Sequence, residues 1–301
     1  MVLSNGIKRL RAYSTIIIIL YHCSCPYMTW CWADVENELF IKRLLYTFFF
    51  RIISDTMLPT FFLISGIIFY GRKSAYSDRK YALWKKFDRL IVPYCLIACA
   101  IAALSLERIG AANADGHLWF IFDLFIFFCI ALLFYKVNET ILFLGGAFLY
   151  VLTIFMTHQM DSLGLSFISK YLVFFLGGYC VVRYFTILRE SRLLKFLIAI
   201  IYAIIVICDE RDILPFAFNM LLISLISDSE VKSKFLNVID EHSYSLYLIH
   251  HPLIFLLFMS PFLQRFYANN GVIAIMTLFV LVFSSSLLLS IGFKKIGFKY
   301  F

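Results

Sequence analysis

Apolar residues run along this chain in long blocks separated by short polar breaks. A hydrocarbon core takes about 20 apolar residues per helix. The blocks predict ten spans, near residues 12–31, 46–70, 90–106, 118–136, 141–157, 167–185, 194–208, 213–227, 243–262 and 272–293. The fold class expected is therefore all-α: a polytopic integral membrane helix bundle. Ten spans use most of the 301 residues, so one integral membrane domain over residues 1–301 is expected, with no separate soluble domain.

The polar breaks orient the bundle. With both termini in the cytoplasm, the inner segments collect most of the 27 lysines and arginines, including Lys8, Arg9 and Arg11 and the run from Arg72 to Arg89. Asp34, Glu36, Glu38, Asp209, Glu210 and Asp212 then fall outside. Excess positive charge on cytoplasmic loops is the usual mark of orientation. The first apolar run is long and lacks a small-x-small cleavage site after it, so it reads as a retained helix.

Composition agrees with a membrane chain: 62% of residues are hydrophobic, 15% are charged, and the mean hydropathy is +0.87. The net charge of +8 follows from topology. It is spread over membrane loops with no recognition motif, which argues against nucleic-acid binding. The eight cysteines form no C-x2-C pair. Cys23, Cys25 and Cys31 lie toward the outer face, where a disulfide can form, and most others read as small core residues.

The first span carries Arg11 and, eleven residues on, His22. At about 100° per residue His22 returns to within roughly 20° of Arg11's face, about 16 Å along the axis. Ionisable groups in a membrane are costly and usually mark a functional path. In the second span, Pro59 through Ser65-Gly66 is either a kinked, closely packed helix or the lining of a passage. Lys85, Lys86 and Arg89 close the basic loop, and Lys85 and Arg89 stand i, i+4. They serve either as anchors at anionic lipid or as a phosphate site. His117 and Trp119 open the fourth span, where an interfacial tryptophan is ordinary. The ninth span carries Tyr244, Tyr247, His250 and His251, suited to hydrogen bonding between helices. No supporting carboxylate or cysteine spacing points to a metal. Asp123, in the fourth span, has no assigned role.

Together these segments resemble the acyltransferase family 3 membrane proteins. The resemblance rests on Arg11-x10-His22, Phe61-Phe62-x-x-Ser65-Gly66, Arg89-x3-Pro93, His117-Leu118-Trp119-Phe120 and Tyr244-Ser245-Leu246-Tyr247-Leu248-Ile249-His250, in this order. The chain departs from common forms in having Lys85-Lys86 and Asp88 where arginines are frequent. It also has no fused extracellular hydrolase-like domain, and so looks most like members acting on lipid-linked or nascent polysaccharide. The resemblance implies transfer of an acyl group, usually acetyl, from cytoplasmic acetyl-CoA to a hydroxyl of a cell-surface or lipid-linked glycan, at the inner (plasma) membrane. On that basis His22 is the expected general base or transient acyl carrier. Arg11 would hold a CoA phosphate or position His22, and Lys85, Lys86 and Arg89 would attract CoA. Ser65, Gly66, His117, Trp119, Tyr247 and His250 would line the cavity or meet the acceptor. The competing reading is a glycan exporter, which needs a polar path but no base.

Overall fold

The computed structural model describes residues 5–24, 55–104, 118–156, 165–208, 213–226 and 233–298. His117, Cys25, Cys31 and the six acidic residues assigned above to the outside lie beyond these described residues. The described residues form helices, with no strand among them, so the all-α expectation holds. One long helix meets each of the ten apolar runs. These are α1 (Asn5–Ser24) and α2 (Asp55–Gly71), then α4 (Val92–Leu104), α5 (Trp119–Leu133) and α6 (Glu139–Phe155). They continue as α7 (Ser166–Glu190), α8 (Arg192–Ile207), α9 (Leu214–Ile226), α10 (Lys234–Phe258) and α11 (Pro261–Lys295). A short α3 (Arg79–Lys86) follows a single 3₁₀ turn at Lys73–Tyr76. Two helices, α7 over Ile168–Ile187 and α11, are long and apolar enough to cross a membrane by length and composition.

Three boundaries differ from the hydrophobic pattern in ways that matter for chemistry. α1 begins at Asn5, so Lys8, Arg9 and Arg11 are helical residues rather than a loop, and Arg9 is buried. α10 begins at Lys234, where the Ser233 hydroxyl accepts from the Leu236 N–H at 3.3 Å. That cap satisfies an otherwise orphaned donor and brings Asp240, Glu241 and His242 onto the helix. α11 begins at Pro261 and turns at Gly271, whose φ of +48° and ψ of −120° suit a residue without Cβ. The last apolar run is the part of α11 beyond that turn.

Contacts divide the chain into two compact units. The first holds α2, α3 and α5–α9. α6 packs along α7, α8 against α9, and α5 against both α3 and α7. Phe62, Phe69, Phe127 and Phe175 are buried there, with Phe62 and Phe127 ring centres 4.9 Å apart. α2 and α7 meet through glycines. A Cβ on Gly66 would sit 1.9 Å from the Phe175 carbonyl oxygen, and one on Gly178 would sit 2.3 Å from the Gly66 carbonyl carbon. Small residues allow such backbone approach between apolar helices.

Between α3 and α4 the chain makes a π turn at Phe87–Ile91, with the Val92 N–H bonded to the Phe87 carbonyl. Pro93 has no N–H to offer Arg89's carbonyl, so the regular i→i−4 ladder is interrupted at this point. π turns of this kind recur at functional sites.

The second unit holds α1 from Arg11, α4 from Pro93, α10 and α11. Its core joins Ala12, Ile19 and Cys23 of α1 to Leu246, Ile254 and Phe258 of α10 and to Tyr267, Leu278 and Val282 of α11. On α1 those positions recur at seven and four residues, the spacing of one helical face. The Tyr267 hydroxyl donates to the Cys23 carbonyl, satisfying a polar group inside the apolar core.

Candidate active site on two parallel helices

Two polar ties join α1 to α10. Arg11 Nε donates to Asp240 Oδ1 at 2.7 Å, and His22 Nδ1 lies 2.9 Å from His250 Nε2. The ties are eleven residues apart on α1 and ten apart on α10, or about 16 and 15 Å at 1.5 Å per residue. Both can form only if the helices run side by side in the same direction. The Arg11–His22 stripe therefore faces α10, and the Thr15 hydroxyl on the same stripe donates to the Arg11 carbonyl at 2.9 Å.

The hydrogen-bond network assigns the imidazole protons. His250 Nδ1 lies 3.0 Å from the Leu246 carbonyl, which can only accept, so Nδ1 carries the hydrogen. Neutral His250 then presents a lone pair at Nε2 to His22 Nδ1, and His22 is also hydrogen-bonded to the Ile18 backbone, so a hydrogen on His22 Nδ1 fits this network. This places the basic lone pair of neutral His22 on Nε2. His250 has 0% exposure, so its ring is fixed by packing as well as by both hydrogen bonds. His251 closes the cluster, its ring edge-on to His22 at 5.7 Å, and the Tyr247 ring stands 5.7 Å from that of His250. An imidazole whose rotation is set by a neighbour is chemically able to take part in proton transfer. Among the described residues, no three His, Cys, Asp or Glu side chains are grouped to hold a metal.

Asp240 was not among the sequence candidates, and His251 was named only for hydrogen bonding between helices. The one-dimensional signal was there: Asp240 precedes His250 by nearly the interval at which Arg11 precedes His22. The Asp240 side chain is 9% exposed and that of Arg11 27%. Removing the carboxylate strands a half-buried guanidinium, which costs about 1–3 kcal/mol. Asp240→Asn is expected to lower stability by that amount, and Arg11→Gln to cost much less in its presence than in the wild type. Additive losses in a thermal-unfolding double-mutant cycle would show that the pair is not coupled.

The other described candidates belong to the first unit. Gly66 is buried against α7, and Ser65 beside it is half-buried. Trp119 opens α5 with its ring 5.5 Å from that of Tyr171 and 6.4 Å from that of Phe62. Lys85 is exposed, its Nζ 4.5 Å from the Tyr81 ring centre. Lys86 is turned inward instead, 3.7 Å above the Phe128 ring, and Arg89 is exposed. The Asp123 side chain is buried, with Oδ2 lacking a hydrogen-bond partner.

Compared with known families, residues 4–209 match an acyltransferase domain, that of acyltransferase family 3. The matched stretch includes Arg11, His22, Ser65, Gly66, Lys85, Lys86, Arg89 and Trp119, and it ends before α10. No curated protein and no solved structure matches the chain.

Proposed function

This chain belongs to acyltransferase family 3, and on that premise we propose that it is a multi-pass O-acyltransferase of the inner (plasma) membrane. It spans the membrane ten times, with both termini cytoplasmic, as one domain over residues 1–301. Membrane lipid covers its apolar exterior: Leu133, Phe155 and Ile207 are exposed, and α8 buries none of its residues. Exposed apolar surface of this extent calls for lipid or a partner.

The reaction moves an acetyl group from acetyl-CoA to a hydroxyl of a surface or lipid-linked glycan. His22 Nε2 takes the hydroxyl proton as the sugar oxygen attacks the thioester carbonyl. The carbon–sulfur bond breaks, and the departing thiolate of CoA receives that proton back from His22, so the imidazole ends neutral. His250 holds His22 in the basic tautomer, and Asp240 holds Arg11 through Nε while its terminal nitrogens remain to donate to substrate. Lys85, Lys86 and Arg89 draw the anionic donor from the cytoplasm. Ser65, His117, Trp119 and Tyr247 are candidates to meet the acceptor, while Gly66 is closed off by the backbone of α7.

The observation that supports this reading is the His22–His250 hydrogen bond, which orients the His22 ring on the stripe that begins at Arg11. A glycan exporter needs a polar path but no oriented base. Deleting the protein from its native cell is expected to remove acetyl signals from the NMR spectrum of the surface polysaccharide while polymer export continues. Lost export with acetylation intact on the residual polymer would support the exporter instead.

A further inference from the structure

The C-terminal ends of α2 and α7 gather hydrogen-bond donors that lack an acceptor. The two helices run in the same direction. The Phe62 ring meets that of Tyr171, and further along both helices a Cβ on Gly71 would sit 3.9 Å from Val182 Cγ2. The close approach at Gly66 and Gly178 brings Tyr70, one turn after Gly66, beside Tyr179, with ring centres 5.8 Å apart. Tyr70 is 8% exposed, and its hydroxyl has no hydrogen-bond partner among the described residues. Arg183, one turn after Tyr179, is exposed and donates through Nη1 to the Tyr179 hydroxyl. Its guanidinium carbon lies 5.8 Å from the Tyr179 ring centre and 5.7 Å from that of Tyr184.

No carboxylate among the described residues stands within salt-bridge reach of Arg183. Glu139 is held by Lys73 instead, and that hydrogen bond is the first cause that keeps its carboxyl below the usual range. The donor set is therefore one-sided. The Tyr179 oxygen accepts from Arg183, so its own hydrogen remains to be given, as do that of Tyr70 and the other N–H groups of Arg183. A buried hydroxyl without a partner is costly, and an acceptor removes the cost. A guanidinium flanked by two hydroxyl donors suits the oxygens of a phosphate.

The position suits a lipid. Arg183 stands four residues, about 6 Å, before the end of the apolar stretch Ile168–Ile187, and Tyr184 and Ile187 beside it are exposed. Headgroups lie at that depth, where tyrosines collect and where basic pockets between helices hold them.

We propose that Arg183, Tyr70 and Tyr179 bind the phosphodiester of an acidic phospholipid headgroup. This rests on the membrane reading above and not on the acyl transfer. An acidic lipid fits because Lys73 and Arg183 against Glu139 leave one positive charge, which a phosphodiester without a cationic headgroup neutralises.

The test is thermal unfolding of the full-length protein in a neutral detergent, titrated with dioleoylphosphatidylglycerol. A ligand that binds the folded state raises the midpoint. A saturable rise is expected with this lipid and none with dioleoylglycerol, which has the same chains and no phosphate. Tyr70→Phe removes one oxygen and keeps the ring. Without lipid its midpoint should equal or slightly exceed that of the wild type, because the lost hydroxyl had no partner. With lipid, half-saturation should need about fivefold more for Tyr70→Phe and at least about tenfold more for Arg183→Gln, as loss of a neutral and of a charge-assisted hydrogen bond does. Arg192→Gln, an exposed charge at the start of α8, should change it little. Equal lipid response in the wild type, Tyr70→Phe and Arg183→Gln would overturn the site, as would equal stabilisation by dioleoylglycerol. A lower lipid-free midpoint for Tyr70→Phe would show that the hydroxyl has a partner inside the protein and would remove it from the site. Saturation by glycerol phosphate at the same concentration, lost in Arg183→Gln, would uphold the anion site and overturn its assignment to lipid. Recovery of the folded chain in the cytosol without detergent would overturn the membrane reading and this site with it.

Discussion

His22→Gln is expected to lose acyl transfer by a factor on the order of 10²–10⁴ while the protein still folds and binds donor. The substitution separates two roles of one side chain. The glutamine amide has an N–H that can donate to His250 Nε2, as His22 Nδ1 does at 2.9 Å. It has no lone pair that takes a proton near neutral pH. A histidine needed only to tie α1 to α10 should therefore be replaced well by glutamine. One needed as a base should not, even though the tie survives. The measurement is acetyl content of the product glycan, normalised to the amount of protein in the same membranes. Near-wild-type acetylation by the glutamine variant would remove His22 as base and strengthen the exporter reading.

The largest structural effect is expected at the contact between α2 and α7. A methyl group at Gly66 would lie 1.9 Å from the Phe175 carbonyl oxygen, and one at Gly178 would lie 2.4 Å from the Ile67 nitrogen. Those neighbours are backbone atoms and cannot rotate aside, so the helices must separate. Gly66→Ala and Gly178→Ala are each expected to cost about 3 kcal/mol, the upper end for overpacking. Gly145→Ala supplies the contrast, because a Cβ there meets nothing within 4 Å. Alanine should be neutral at that position, or stabilising by up to about 1 kcal/mol through helix propensity. Thermal unfolding of the three purified variants checks the order. An unchanged midpoint for Gly66→Ala would mean that the two backbones do not approach this closely.

The same glycine shows how far sequence reasoning reaches. Ser65-Gly66 was open to two readings, helix packing or the lining of a passage. The backbone of α7 against Gly66 gives it a packing role. The partner residues Phe175 and Gly178 lie more than a hundred positions away in the chain, and nothing local to α2 names them. Lys85, Lys86 and Arg89 present a similar case. Their spacing places them on one basic stretch, but Lys86 turns toward Phe128 and Tyr76 while Lys85 stays exposed over Tyr81. The π turn that holds Arg89 apart from both lysines depends on hydrogen bonds around Pro93, which a count of helical steps does not include.

By itself the sequence determined what depends on neighbours along one helix. Apolar blocks marked ten of the described helices because an apolar segment that leaves water must satisfy its backbone groups internally, as a helix does. The eleven-residue interval placed Arg11 and His22 on one stripe because the helical repeat is fixed by backbone geometry. The tertiary structure alone decided what that stripe meets. Asp240 opposite Arg11, and His250 opposite His22, come from a helix more than two hundred residues later. Their match depends on two helices lying parallel in one packed core. The choice of Nε2 as the basic nitrogen belongs to that level too, since it follows from a carbonyl on α10 that only accepts.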